Sequence, residues 1–235
     1  MCFVIEIHKT RTELESRFNR RFEQNSEEFE PKYYISAFEF PKVPVITQEN
    51  NSYIRLMNWG LVPSWLKEGS RADEFKYNTL NAKAETLQEK PSFRVPFKNR
   101  RCLILSHGFF EWQHNGKEKI PYYVKLKNDE IFAFAGLYDE WVDKQTSEIY
   151  TGFSIVTCEA NEIMSTIHNS KKRMPLIINK DMEEFWIDPG FNVDNTKTLL
   201  KPVESDALVA WPIGNLINQR NQNRNISELI EKREI

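Results

Sequence analysis

Apolar residues fall mostly in short runs, rich in β-branched and aromatic side chains and broken by Pro, Gly, Asn and Asp. That is the pattern of strands rather than of long helices. The run CFVIEI at 2–7 predicts a strand that begins almost with the chain. Thr10 then opens T-x-x-E with Glu13, a capping box, and Leu14, Phe18 and Phe22 follow at helical spacing. Residues 24–30 are acidic and polar and predict a surface loop. Further strands are predicted at 33–38, 43–47 and 53–59, set off by Pro31, Pro41 and Pro44.

The middle of the chain is the most β-rich, with strand composition at 102–105, 109–113, 122–127, 131–137 and 152–158. Asn115-Gly116 is a strong hairpin signal linking 109–113 to 120–126, and Asn128-Asp129 supplies a second tight turn. Helices are predicted at 160–167, 180–187 and 226–233, the last capped by Ser227. The polar run NLINQRNQNRN at 215–225 reads as a mobile connector. With no internal repeat and no long linker, residues 1–235 predict one α+β domain around a mostly antiparallel, barrel-like sheet with peripheral helices.

Composition narrows the function classes. Apolar residues at 40% and aromatics at 13% supply a real core and exclude a disordered chain. No apolar run approaches the roughly 18 residues of a membrane helix. The leading residues lack the basic and long apolar regions of a secretion signal. Three cysteines without a CxxC pair argue against a disulfide framework or a thiolate zinc site, so a reduced, cytoplasmic protein is expected. A net charge of −2 means that any nucleic-acid binding must come from a local patch. There is no Walker A or GxGxxG pattern, and His8, His107 and His114 lack metal-ligand spacing, so neither nucleotide cofactor nor metal is expected.

Several residues could carry chemistry. Cys2 follows Met1, and a small second residue lets the initiator be removed. Cysteine would then hold an α-amine of pKa roughly 7.7–8.0 beside its thiol, a pair that can capture an aldehyde as an imine and then a thiazolidine. Read alone, Cys2 suits a buried strand cysteine first and a reactive terminus second. Glu111 is flanked by Phe109, Phe110 and Trp112, which desolvates a carboxyl for proton transfer unless it faces solvent on an alternating strand. His168 precedes Lys171-Lys172-Arg173, and is either a proton shuttle near phosphate-attracting cations or a helix-end residue beside a solvated charge run. Asn81 opens NAKAET and reads locally as a helix N-cap. Trp59, Trp65 and Trp112 suit a core first and base stacking second, though WGLVPSW at 59–65 is loop-like. Arg94, Lys98, Arg100 and Arg101 form a second basic cluster.

The order of these pieces is more specific than any one of them. Cys2, WGLVPSW at 59–65, NAKAET at 81–86, RRCLILSHGFFEW at 100–112, TCEAN at 157–161 and His168 before Arg173-Met174-Pro175 together resemble the SOS-response-associated peptidase family, from residue 2 to about 178. The resemblance implies a barrel-containing α+β domain that senses abasic sites in single-stranded DNA and becomes covalently attached to them. By motif, Cys2 resembles the attacking residue, and Asn81, Glu111 and His168 the active-site amide, carboxyl and imidazole. Trp65, Lys83, Trp112, Thr157 and Arg173 match positions that line the DNA groove. This sequence departs from the family at Phe3-Val4, where Gly-Arg is usual, at Lys83 in place of arginine, and at Leu105-Ser106-His107 in place of Pro-Ala-Asp. Two extra residues stand between His168 and Arg173.

Three functions follow as alternatives. The first is thiazolidine capture of an abasic site through Cys2, with self-removal of the leading residue and a DNA lyase activity as further implications. The second is an N-terminal-nucleophile cysteine peptidase, whose thiol attacks an amide with its own amine as base. The third is a non-catalytic single-strand-binding module built on Trp65, Trp112 and the 171–173 cations.

Overall fold

The computed structural model describes residues 2–24, 29–67, 71–190 and 199–233. Five strands close into a ring: β4 (Lys42–Thr47), β5 (Tyr53–Trp59), β11 (Ile149–Glu159), β10 (Phe132–Val142) and β7 (Arg101–Ser106), which returns to β4. Every pairing in the ring is antiparallel except β5 with β11, where Gly152 lies opposite Asn58 and Phe153 opposite Trp59. Glycine is required there, since a Cβ on residue 152 would stand 2.2 Å from the Gly60 carbonyl oxygen. A second sheet has the order β14 (Leu208–Pro212), β9 (Glu118–Leu126), β8 (Gly108–Asn115), β1 (Val4–Ile7) and β3 (Lys32–Ser36).

Closure removes the exposed edges of the ring and turns alternate side chains inward. Trp59, Phe134 and Phe153 are fully buried, each stabilising the fold by roughly 1.5–3 kcal/mol. Phe109 from β8 meets Phe134 from β10 edge-to-face at 5.8 Å, so both sheets share one core. The strand β7 runs into β8 with only His107 between them, which carries the chain from one sheet to the other.

The capping box forms as the sequence predicts: Thr10 caps α1 (Arg11–Phe18), accepting from the Glu13 N–H, while the Glu13 carboxylate accepts from the Thr10 N–H at 2.7 Å. Asn19 then takes a left-handed conformation and ends the helix, so Phe22 belongs to the short strand β2 (Arg21–Phe22) rather than to the helix. The Asn115-Gly116 hairpin and the Asn128-Asp129 turn form where predicted. Part of the predicted loop at 24–30 lies outside the described residues. Two helices without a sequence-predicted counterpart are α2 (Ala72–Asn78) and α3 (Arg94–Asn99). The 226–233 helix is instead one 3₁₀ turn at Ser227–Ile230, with Ile226 rather than Ser227 in the capping position. Residues 215–225 are docked, not loose: Asn225 accepts from the Tyr33 N–H at 2.7 Å and the Arg224 guanidinium lies 3.9 Å over the Tyr34 ring.

Two buried charges are held by hydrogen bonds rather than by solvent. The Arg101 guanidinium, fully buried, donates to the carbonyls of Phe97, Lys98, Trp186 and Asp188. Arg100 pairs with Asp139. The predicted basic cluster at 94–101 is therefore in part a fastening of the fold. Glu6 is the second case. Burial works to raise its carboxyl, but hydrogen bonds from His107 and His8 bring it down to about 2.

Candidate active site

Cys2 lies just ahead of β1 and is fully buried. Its carbonyl accepts a 2.9 Å hydrogen bond from the Asn81 side-chain amide. Asn81 begins β6 (Asn81–Lys83), a strand parallel to β11 with Asn81 opposite Ile155, and is not the helix cap that its local sequence suggests. Long-range bonds hold it there: the Trp59 indole donates to the Leu80 carbonyl at 2.9 Å, and Ile155 N–H donates to the same oxygen at 3.2 Å. The Asn81 side-chain oxygen is buried and has no hydrogen-bond partner among the described residues. A buried acceptor left open costs about 1–3 kcal/mol, and such cost persists where a ligand supplies the missing donor.

Glu111 stands on β8, adjacent to β1, with 4% of its surface exposed. Burial pushes its carboxyl up to about 7, against a hydrogen bond from the Trp112 backbone. Its charge also acts on Cys2. Burial raises the Cys2 thiol well above its ordinary range, and the Glu111 carboxylate raises it further. The thiol is therefore held protonated at neutral pH.

His168 follows α4 (Glu162–Ile167), which Asn161 caps by accepting from the Met164 N–H at 3.0 Å. The His168 Nδ1 lies 2.7 Å from the Arg173 carbonyl, which can only accept, so Nδ1 carries the hydrogen and the basic lone pair lies on Nε2. The same Nδ1 lies 3.9 Å from the Glu111 carboxylate, beyond hydrogen-bond distance. Burial lowers the His168 pKa, the Arg173 hydrogen bond opposing it, so the imidazole is neutral near pH 7. The structure thus assembles a buried cysteine thiol, an amide with a free acceptor, a carboxyl that titrates near neutrality and a neutral imidazole.

The flanking residues divide. Thr157 is fully buried, and its carbonyl accepts from Arg173 at 2.6 Å and its hydroxyl at 3.2 Å. The Arg173 guanidinium also pairs with Glu85 at 2.6 Å. Both residues are thus turned inward, and their contact fixes the carbonyl that orients His168. The Arg173 Nε is buried and has no hydrogen-bond partner among the described residues. Lys83 is exposed on β6, and Trp65 is 48% exposed, its indole donating to the Pro91 carbonyl at 3.2 Å. Trp112 is half-buried and donates to Asn218 at 3.0 Å. Trp59, by contrast, is core. Phe3 stacks at 5.0 Å on Phe38, which is 54% exposed. Sequence reasoning missed the positioning residues Asn161, Glu85 and Asn218. Only Asn161 had a local signal, as Asn followed by Glu at a helix start.

Comparison with known proteins identifies the family. The profile of the SOS response associated peptidase (SRAP) family matches residues 1–220. The abasic site processing protein YoqW of Bacillus subtilis is 37% identical over 206 residues, 87% of each chain. The abasic site processing protein HMCES of Xenopus tropicalis is 30% identical over 187 residues, 71% of this chain and 54% of that one. A crystal structure of a protein from Bacteroides thetaiotaomicron superposes with a TM-score of 0.91 at 34% identity, covering 99% of this chain and 100% of that one. The chain belongs to the SOS response associated peptidase family.

Proposed function

We propose, with family membership as the premise, that this protein handles abasic sites in single-stranded DNA by forming a covalent thiazolidine through Cys2 once Met1 is removed. The observation that carries this reading is the coupling of Cys2 to Asn81 and Glu111, with His168 3.9 Å from the same carboxylate. An abasic deoxyribose opens to an aldehyde, and the Cys2 amine attacks its carbon to give a carbinolamine. Loss of one water gives the imine. The thiol then adds across the C=N bond: sulfur bonds to carbon and the thiol proton ends on nitrogen. Aldehyde and aminothiol become thiazolidine and one water.

Each group has a task suited to its state. Glu111, near half-protonated at pH 7, takes a proton from the Cys2 ammonium and returns one to the departing hydroxyl. His168 Nε2 accepts and relays protons at the sugar. The open Asn81 oxygen accepts from a sugar hydroxyl or from the Cys2 amine. Proximity contributes much of the rate. Lys83, Trp65 and Trp112 would meet the DNA, with tryptophans stacking on unpaired bases, whereas Thr157 and Arg173 position His168. The peptidase alternative predicts an acyl-enzyme or peptide turnover in place of a DNA adduct.

The test is intact mass and denaturing electrophoresis of Met1-processed protein with an abasic single-stranded oligonucleotide. A denaturation-resistant adduct with the mass of the sum less one water is expected, and none with Cys2→Ala. An adduct that survives Cys2→Ala rejects the mechanism.

A further inference from the structure

Outside this site, the fold brings together Glu6, His8 and His107, whose spacing in the sequence gives no sign of a metal. One ligand atom from each lies within 4.8 Å of the others. The His8 Nδ1 contacts one oxygen of the Glu6 carboxylate, and the His107 Nδ1 lies 3.3 Å from the other. We propose that these three side chains bind a divalent transition-metal ion, zinc foremost, which clips the start of the chain to the corner between β7 and β8.

The donor set is two imidazoles and one carboxylate, which suits zinc and its neighbours rather than magnesium or calcium. A tetrahedral ion with bonds of about 2.0–2.1 Å needs ligands roughly 3.3 Å apart, so binding would draw the ligand atoms together by up to about 1.5 Å. A supporting layer is already present. Tyr123 donates to Glu6 at 2.8 Å, the His107 Nε2 lies 3.2 Å from the Asp129 carboxylate, and the His8 ring stacks on Tyr33 at 4.9 Å. Groups of this kind orient metal-binding histidines.

The His107 ring is the most telling member. Its Nε2 faces the Asp129 carbonyl and carboxylate, and its Nδ1 faces the Glu6 carboxylate and the Tyr123 hydroxyl, so both ring nitrogens point into oxygen-rich surroundings. Glu6 and His107 are buried, but the His8 side chain is 21% exposed, which leaves one edge for entry and for a water as the remaining ligand. The site is closed to a substrate, so its role is structural. Three residues lie between Cys2 and Glu6, about 13 Å of extended chain, so the clip would anchor the strand that presents Cys2.

Titration of metal-free whole protein with Co²⁺ tests this. One equivalent should bind with visible bands of a four- or five-coordinate ion and without a thiolate charge-transfer band, which separates the site from chelation by Cys2. Zn²⁺ should displace Co²⁺ and, well above its Kd, raise Tm by about 5–10 °C, while Mg²⁺ does neither. His8→Phe keeps the stack on Tyr33 and should weaken Co²⁺ binding by about 100-fold or more. Should that variant not fold, His8→Gln serves for the same measurement. Absence of one-equivalent binding, a thiolate band, or Co²⁺ affinity unchanged by the His8 substitution overturns the proposal.

Discussion

Two buried glutamates, Glu6 on β1 and Glu111 on the neighbouring β8, each lie near histidine, and they behave oppositely. At the Cys2 end, Glu111 lies 3.9 Å from His168, no hydrogen bond joins them, and burial pushes the carboxyl up to about 7. At the other end burial also opposes ionisation, but Glu6 accepts from His107, His8 and Tyr123 and its carboxyl falls to about 2. The same residue types give a proton-exchanging group in one place and a fixed anion in the other. What separates them is whether the donors aimed at the carboxylate outweigh its desolvation: those on Glu6 do, and those on Glu111 do not.

Breaking the fixed anion should have the largest effect. Glu6→Gln leaves two histidines and Tyr123 without their charged partner, and should destabilise the protein by about 3–5 kcal/mol at pH 7 in urea unfolding. A loss below about 1 kcal/mol would mean that this end is no more committed than the other.

Glu111→Gln should act in the opposite direction. A carboxyl raised from the ordinary 4.5 to about 7 in the folded state contributes stability that is full below pH 4.5 and lost as pH rises through 7. The total is about 3 kcal/mol. The glutamine variant should therefore be more stable than the parent at pH 8, by up to that amount, with a flatter profile between pH 4.5 and 7. Its adduct formation should slow by about 100-fold or more. Equal pH profiles for the two proteins would show that Glu111 is not desolvated in solution.

Asn81→Ala should have a smaller effect. It removes one hydrogen bond to the Cys2 carbonyl, worth about 1 kcal/mol, together with a buried acceptor that has no partner. Net stability should change by less than about 1 kcal/mol, whereas adduct formation should fall about tenfold. A large stability loss with unchanged adduct rate would make Asn81 purely structural.

Much of the architecture was legible along the chain because its signals are local. The capping box at Thr10–Glu13, the Asn115-Gly116 turn and the strand runs depend on neighbours within a few residues. Phe22 was assigned to α1 because its spacing continues the helical stripe, but the left-handed Asn19 ends the helix first. Asn81 was misread for a related reason: NAKAET carries a good cap signal, and nothing nearby reveals that β11 will pair with it in parallel. The ordered family motifs pointed to Cys2, Asn81, Glu111 and His168. They could not reveal that Arg173 hydrogen-bonds Thr157, since that contact depends on which strands become neighbours.

By itself the sequence determined the strand-rich class, the main turns and the identity of the groups that could react with an aldehyde, because these follow from local propensity and side-chain chemistry. Only the tertiary structure decided which carboxyl is pushed up and which is held down, and that three residues with no metal-like spacing converge. Those outcomes depend on desolvation and donors brought from positions up to about a hundred residues away, and no local pattern encodes such distances.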